Sequence, residues 1–293
     1  MKSYIKHILL ISSLVIIPTT VISQVSGKFD KYWNQGKAEI TSYQLSQARY
    51  GEMREGKSVL VYVTEPFSPK LQVKKNNANS ENSVPVLKMN SVKKFTTGLY
   101  PYSIMNSVFH TLDKQQNVLK ISSSIQDWCG HVYTQLNRRE QYEYTSHSYF
   151  EEEGGDTFKT LETTNELEDE IWTQIRIDYK KLPIGDFQMI PSLEYTRYLV
   201  TELKAHKALA QLVENEQKMV YKLFYPKLKR SLEITFEKQF PYQILEWKET
   251  YKSGFDDNAK VLTTTGKKIE TLKVDYWNKH HNKDAYLRKQ LGL

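Results

Sequence analysis

The chain carries a single cysteine, Cys129, in 293 residues. No internal disulfide can form, and a core of this size supports itself without one. Glycine is sparse, with twelve residues against twenty tyrosines and five tryptophans. That balance argues against disorder and for many half-buried strand positions. The glycines fall into neither a Walker-type nor a dinucleotide pattern, so no phosphate loop is indicated. Cysteine and histidine lack the paired short spacing of a zinc site. Neither sign of charge dominates: the formal net charge is +7, and basic residues interleave with acidic ones. Such a surface is solvated rather than built for nucleic acid. The one concentrated basic segment, residues 279–289, also carries His280 and His281 and reads as a solvated tail beside Asp284.

No apolar run is long enough to span a bilayer comfortably. The longest, residues 8–17, is interrupted by Ser12 and Ser13 and preceded by Lys2 and Lys6. Val21 and Ser23 supply small residues before Gln24, so residues 1–23 read as a cleaved signal peptide. No cysteine follows the run, which excludes a lipid-modified N-terminus. Cleavage removes two lysines and lowers the charge from +7 to +5. The expected product is one β-rich domain, residues 24–293, exported to the periplasm or the medium, with no membrane span.

What is present is alternation. Met219, Tyr221, Leu223 and Tyr225 share one face of a run, and Leu232, Ile234 and Phe236 share one face of the next. In a third run Leu245, Trp247 and Tyr251 face one way and Glu246, Lys248 and Thr250 the other, with Glu249 breaking the pattern. Period two marks strands with one dry face, and Pro226 and Pro241 punctuate them. This is an antiparallel meander. Residues 37–65 read as a hairpin turning over 51–57; its second strand is apolar on both faces at 59–63, hence central, and Pro66 stops it. Residues 76–83 read as an exposed loop and 113–117 as a turn. Between them 84–89, 95–99 and 103–112 read as strands. Residues 118–150 hold three more, the last two joined over 137–140. Much of 191–213 reads as strand. Residues 261–277 are one long strand or two broken at Gly266, and 284–291 a terminal helical turn.

One helix is expected, between Thr163 and Arg176. Leu167, Ile171 and Ile175 lie four apart on one face, and the opposite, wet face is Glu166, Glu168, Asp169 and Glu170. Thr163 or Thr164 caps it, and the acids suit its dipole. The natural surface for it to cover is the apolar face of the meander.

The segments Trp33-Asn34-Gln35-Gly36-Lys37-Ala38-Glu39-Ile40 and Gly51-Glu52-Met53-Arg54-Glu55-Gly56-Lys57 resemble a family of uncharacterised exported proteins of Bacteroidetes-type bacteria. So do Trp128-Cys129-Gly130-His131-Val132-Tyr133 and the ending Leu287-Arg288-Lys289-Gln290-Leu291-Gly292-Leu293. The likeness covers most of the mature chain and implies export without implying an activity. Some members carry the label septum formation inhibitor Maf. The Ser-Pro-Arg-Arg signature of Maf nucleotide pyrophosphatases does not occur in this sequence, and their cytoplasmic α/β fold differs from a β-rich exported one.

Candidate chemistry is thin. A hairpin centred on Arg138 places Cys129 opposite His147, with His131 on the same face as Cys129, the minimal thiol–imidazole pair. The bland alternative is a buried cysteine with satisfied histidines. The same three residues are the weak candidates for a metal. The acids offer no fixed pair for glycoside chemistry. No cofactor is implied. A meander covered by one helix curls into a half-barrel, similar in outline to periplasmic lipoprotein carriers, where apolar ligands lie between sheet and helix. Ile171, Trp172, Leu232, Ile234, Phe236 and Trp247 would line that space. The leading expectation is therefore a non-enzymatic envelope protein binding an apolar molecule or lipid. The alternatives are a packed-core protein binding an envelope partner, and a thiol enzyme using Cys129.

Overall fold

A computed structural model describes residues 24–77, 81–112 and 117–293. The expected signal peptide and most of the turn at 113–117 lie outside these residues. The strands are β1 (Ala38–Arg49), β2 (Glu52–Ser68), β3 (Val73–Lys74), β4 (Val84–Thr97), β5 (Tyr100–Thr111), β6 (Val118–Gln126), β7 (His131–Arg138) and β8 (Tyr142–Ser148). They continue with β9 (Asp156–Leu161), β10 (Glu166–Leu167), β11 (Gly185–Ile190), β12 (His206–Asn215), β13 (Lys218–Tyr225), β14 (Arg230–Glu237), β15 (Ile244–Ser253) and β16 (Lys260–Val274). Helices α1 (Gln24–Trp33), α2 (Ile171–Asp178), α3 (Leu193–Tyr198) and α4 (Tyr286–Gln290) complete the set with several single 3₁₀ turns. Strand makes up 56% and helix 17%, so the fold is mainly β, as the alternation implies.

All strands join one sheet, ordered β10-β11-β12-β13-β14-β15-β16-β1-β2-β4-β5-β6-β7-β8-β9, with β3 added to β2. Every pairing is antiparallel except β10 with β11. The sheet is not closed into a barrel. Yet its two outermost strands, β9 and β10, are consecutive in the chain and joined by residues 162–165 alone. Five Cα–Cα steps reach at most about 18 Å, so the sheet must curl until its ends nearly meet. A seam is left between them.

The inner face is dry. Met219, Tyr221, Leu223, Tyr225, Leu232, Ile234 and Phe236 are all buried, as their alternation requires. Lysines and glutamates such as Lys222, Glu233 and Lys248 point the other way. A wall with charge outside and apolar groups inside is the reverse of a transmembrane barrel. Among the described residues no helix is long and apolar enough to cross a membrane. The doubly apolar run in β2 has its explanation here. Leu60 and Tyr62 face the core, while Val59, Val61 and Val63 join Ile40, Leu272 and Leu291 under the C-terminal helix on the outer face. The Ser42 hydroxyl donates to the Leu291 carbonyl at 2.6 Å and fixes α4 there.

Several boundaries differ from the sequence expectation. The hairpin turn of β1–β2 is confined to Tyr50 and Gly51, both at positive φ, and β2 runs on through Pro66 to Ser68. The β1 pairing of β2 stops at Tyr62 and its β3 pairing starts at Phe67, so Pro66 faces only Pro85 of β4, where a proline costs little. The strands expected at 84–89 and 95–99 are one, β4. Residues 261–274 are also continuous, because Gly266 is not a break. A Cβ there would sit 2.1 Å from the Trp247 indole, so the glycine makes room for that ring beside Tyr43. Residues 193–198 form α3, not strand, with the Ser192 hydroxyl capping it by accepting from Tyr195 N–H.

The covering helix is shorter than expected and starts later. Residues 166–167 are β10, 168–170 a 3₁₀ turn, and α2 proper is Ile171–Asp178. Leu167, Ile171 and Ile175 are buried as their spacing predicts. Only part of the expected wet face is wet: Glu166 is exposed and Glu170 half-buried, but Glu168 and Asp169 are 2% and 8% exposed. Glu168 marks a buried ion pair and Asp169 a buried hydrogen bond, rather than a dipole-stabilised surface turn. The segments on either side of β11, with α2 and α3, thus pack into the hollow of the curled sheet, and α2 lies nearest β4 and β5.

Candidate functional site

Two charged constellations fasten these segments inside the sheet. Towards the α1 end, the Arg176 guanidinium donates to both Glu39 oxygens, at 2.7 and 2.8 Å, and its Nε donates to the Pro241 carbonyl at 2.9 Å. Its flat face lies 5.0 Å from the Trp33 ring and 4.6 Å from that of Tyr62. Tyr32 donates its hydroxyl to the same carboxylate. Burial works to raise the Glu39 pKa, but Arg176, Tyr32 and Lys273 together hold it below the ordinary value. The sequence hides this pair, since its members stand 137 residues apart.

At the other end, Arg230 donates to both oxygens of Glu168 and, through Nε at 2.8 Å, to Glu249. Tyr225 adds a hydroxyl to Glu168 at 2.8 Å. This explains Glu249, the one residue that broke the alternation of β15: it faces inward because its cation is inside. Lys93 donates to Glu194 at 2.8 Å, and the Asn106 amide reaches the other oxygen of that carboxylate at 2.7 Å. Burial alone would lower the Lys93 ammonium, but Glu194 and Glu249 keep it above its usual value. The Leu193 N–H donates to Asp169 at 3.0 Å. Burial, against that hydrogen bond, pushes the Asp169 carboxyl up to about 7. Arg49 completes the ring, donating to the Tyr198 carbonyl at 2.9 Å and so pinning the end of α3.

These groups enclose a void of about 40 Å³. A water needs a polar space of about 10–15 Å³ on this kind of measure, so the void takes a few waters and no lipid. Asn106 Oδ1 and Tyr198 Oη, both buried without a protein partner, suit such waters. Of the six residues expected to line a ligand space, Trp172, Leu232 and Trp247 border this void. Ile171, Ile234 and Phe236 are at most 2% exposed and fill the core instead. Trp172 meets Trp247 edge-on at 5.5 Å, and Tyr179 packs on Phe236 at 5.4 Å. The expected apolar cavity is occupied by the chain's own side chains, and what remains open is ionic. The space between sheet and helix in this structure is too small for an acyl chain, and its lining residues are mostly polar.

The thiol–imidazole pair is not formed. The β7–β8 hairpin centres on Glu140 rather than Arg138, so His147 pairs with Tyr133. Residues Arg139 and Gln141 close the turn with a backbone hydrogen bond, and that longer hairpin sets the register. Cys129 precedes β7 in an exposed turn held by Asp127, which accepts from the Cys129 and Gly130 N–H groups. The negative charge of Asp127 raises the thiol pKa, the opposite of activation. His147 contacts Asp156 at 3.0 Å and His131 contacts Ser124 at 2.9 Å, so the three candidates have separate partners. Among the described residues no group of three histidine, cysteine or acidic side chains is placed to hold a metal ion. His281 and Asp284 form a capping box for the last 3₁₀ turn.

Comparison with known protein families, with curated proteins and with solved structures finds no match for this chain.

Proposed function

We propose that the protein is an exported envelope protein of non-enzymatic type that acts through its outer surface, its interior being filled by its own side chains. The observation that carries this is the lumen: the space a carrier would give its ligand holds Ile171, Ile234, Phe236 and two ion-paired clusters, leaving about 40 Å³. A bound acyl chain would strand Arg230 and Lys93 beside hydrocarbon, which no carrier site tolerates without losing their partners. The charged outer wall supports a soluble form, and the n-region, apolar run and small residues before Gln24 support export. Native mass spectrometry of protein purified from its own host tests the reading. The expected species is the polypeptide starting at or near Gln24 with no lipid adduct. A stoichiometric lipid, or an intact Met1 on a cytosolic protein, would overturn it.

A further inference from the structure

The seam of the sheet opens into a cleft that the filled lumen does not share. It has a volume of about 290 Å³ and lies between β7–β9 and the segment that follows α3. Its floor is a row of hydroxyls. Thr134 of β7 pairs with Ser146 of β8, which pairs with Thr157 of β9, so the three stand side by side across three strands. Direct cross-strand neighbours have Cβ atoms about 4.5–5.5 Å apart. That is a ladder of groups each able to donate and to accept.

The walls carry two cations, Arg197 and Lys159, each beside a carboxylate, and a third acid, Glu152. Arg197 contacts Glu153 at 3.1 Å and stacks 4.9 Å from the Phe150 ring, yet its Nε is buried with no acceptor. Lys159 donates to the Leu203 carbonyl at 2.5 Å and sits 3.9 Å from Glu202, latching β9 to the far wall. At the rim, Val200 is held at φ 49°. A β-branched residue in the left-handed region is strained, and such strain persists where the surroundings impose it, typically at sites with work to do.

These features select the ligand chemistry. An anion such as phosphate needs an unbalanced cation, and both cations here are matched by carboxylates. An apolar ligand would cover the hydroxyl row and the orphan Nε–H without returning hydrogen bonds. A neutral molecule rich in hydroxyls satisfies both, since each of its groups donates and accepts as the ladder does. We propose that this cleft binds a neutral sugar of about one pyranose ring, the volume being at the lower end for small-molecule sites. The site is independent of the closed lumen and of export.

Saturation-transfer NMR on the full chain tests it, with D-glucose, D-galactose, D-mannose and N-acetyl-D-glucosamine at millimolar concentration and glycerol as control. At least one sugar should give saturable transfer that glycerol does not. Ser146→Ala, which removes the middle hydroxyl, should weaken that sugar roughly tenfold. Lys159→Met, at a part-exposed position of the edge strand β9, gives the same readout should Ser146→Ala fail to fold. No saturable transfer from any of the four sugars overturns the proposal. So does transfer equal to that of glycerol, or an affinity unchanged in a variant that melts like the wild type.

Discussion

Arg176→Met takes the cation from a pair whose members are 1% and 0% exposed, and it leaves the Glu39 carboxylate with Tyr32 as its direct partner. The variant also loses the contacts to Trp33, Tyr62 and the Pro241 carbonyl. Removing one member of a buried ion pair costs roughly 3–5 kcal/mol, because the other charge stays buried and uncompensated. Against a total stability of about 5–15 kcal/mol, that is a large fraction. Urea unfolding followed by tryptophan fluorescence reads it as a lower midpoint at neutral pH. Adding Glu39→Gln to the variant removes the stranded charge, so the double variant should be more stable than Arg176→Met alone. The pH dependence has a definite sign. In the wild type Glu39 is held below its ordinary value, so its contribution is present above that value and is lost as pH falls through the folded one. In Arg176→Met burial acts without its main opponent and the carboxyl titrates higher, so acid relieves the penalty. The gap between wild type and variant should be widest near neutral pH and narrow towards about pH 4.5, near the ordinary glutamate value. A constant gap, or a double variant no better than the single one, refutes the buried-charge account.

Three further changes probe the packing. Ile171→Ala should cost roughly 2–5 kcal/mol, the price of a cavity in a solid core, and an unchanged melting temperature would make α2 a surface feature. Gly266→Ala places a methyl 2.1 Å from the Trp247 ring; a loss of about 1–3 kcal/mol from overpacking is expected, with a changed near-ultraviolet tryptophan signal, and a neutral result would mean that the ring moves freely. Asp169, with its carboxyl raised to about 7, keeps a proton in the folded state that the unfolded chain gives up from about pH 4. Wild-type stability should therefore decline as pH rises across that window, by at most about 4 kcal/mol. Asp169→Asn should flatten the decline, and parallel curves for the two proteins would contradict the assignment.

The elements legible in the sequence were those whose environment is two-sided and repetitive. The strands β13 to β15 announce themselves because one face meets the core and the other water, and the double apolarity of residues 59–63 correctly marks a strand covered on both sides. The failures share a cause. Glu168, Asp169 and Glu249 are charged, and charge reads as solvent exposure unless the partner is known; Arg230 and Leu193 supply those partners from far along the chain. The short strands β9 and β11 and the helix α3 are too brief for a period to establish itself. The Cys129 register failed through a turn placed two residues early, an error that moves every pairing beyond it. The seam cleft was invisible for another reason. Its hydroxyls lie on three strands and become neighbours only through the pairing.

The order of strands has a consequence for how the sheet is made. Read across the sheet, the chain starts at residue 166, runs through β16, jumps to β1 and ends at residue 161. That is a sheet of sequential neighbours, antiparallel but for the β10–β11 pair, circularly permuted with its break in the middle of the wall. Thr41 therefore bonds Thr271, 230 positions further along the chain, while nearly every other strand pairs with its neighbour in sequence. During synthesis one edge of β1 stays bare until almost the whole chain has emerged, a long unpaired template of the kind that promotes wrong pairing. Moving the chain ends to residues 162–165 and joining the present ones by a linker would make the β1–β16 contact local. Lower contact order speeds folding, so such a permutant should refold faster than the natural order while keeping the same sheet.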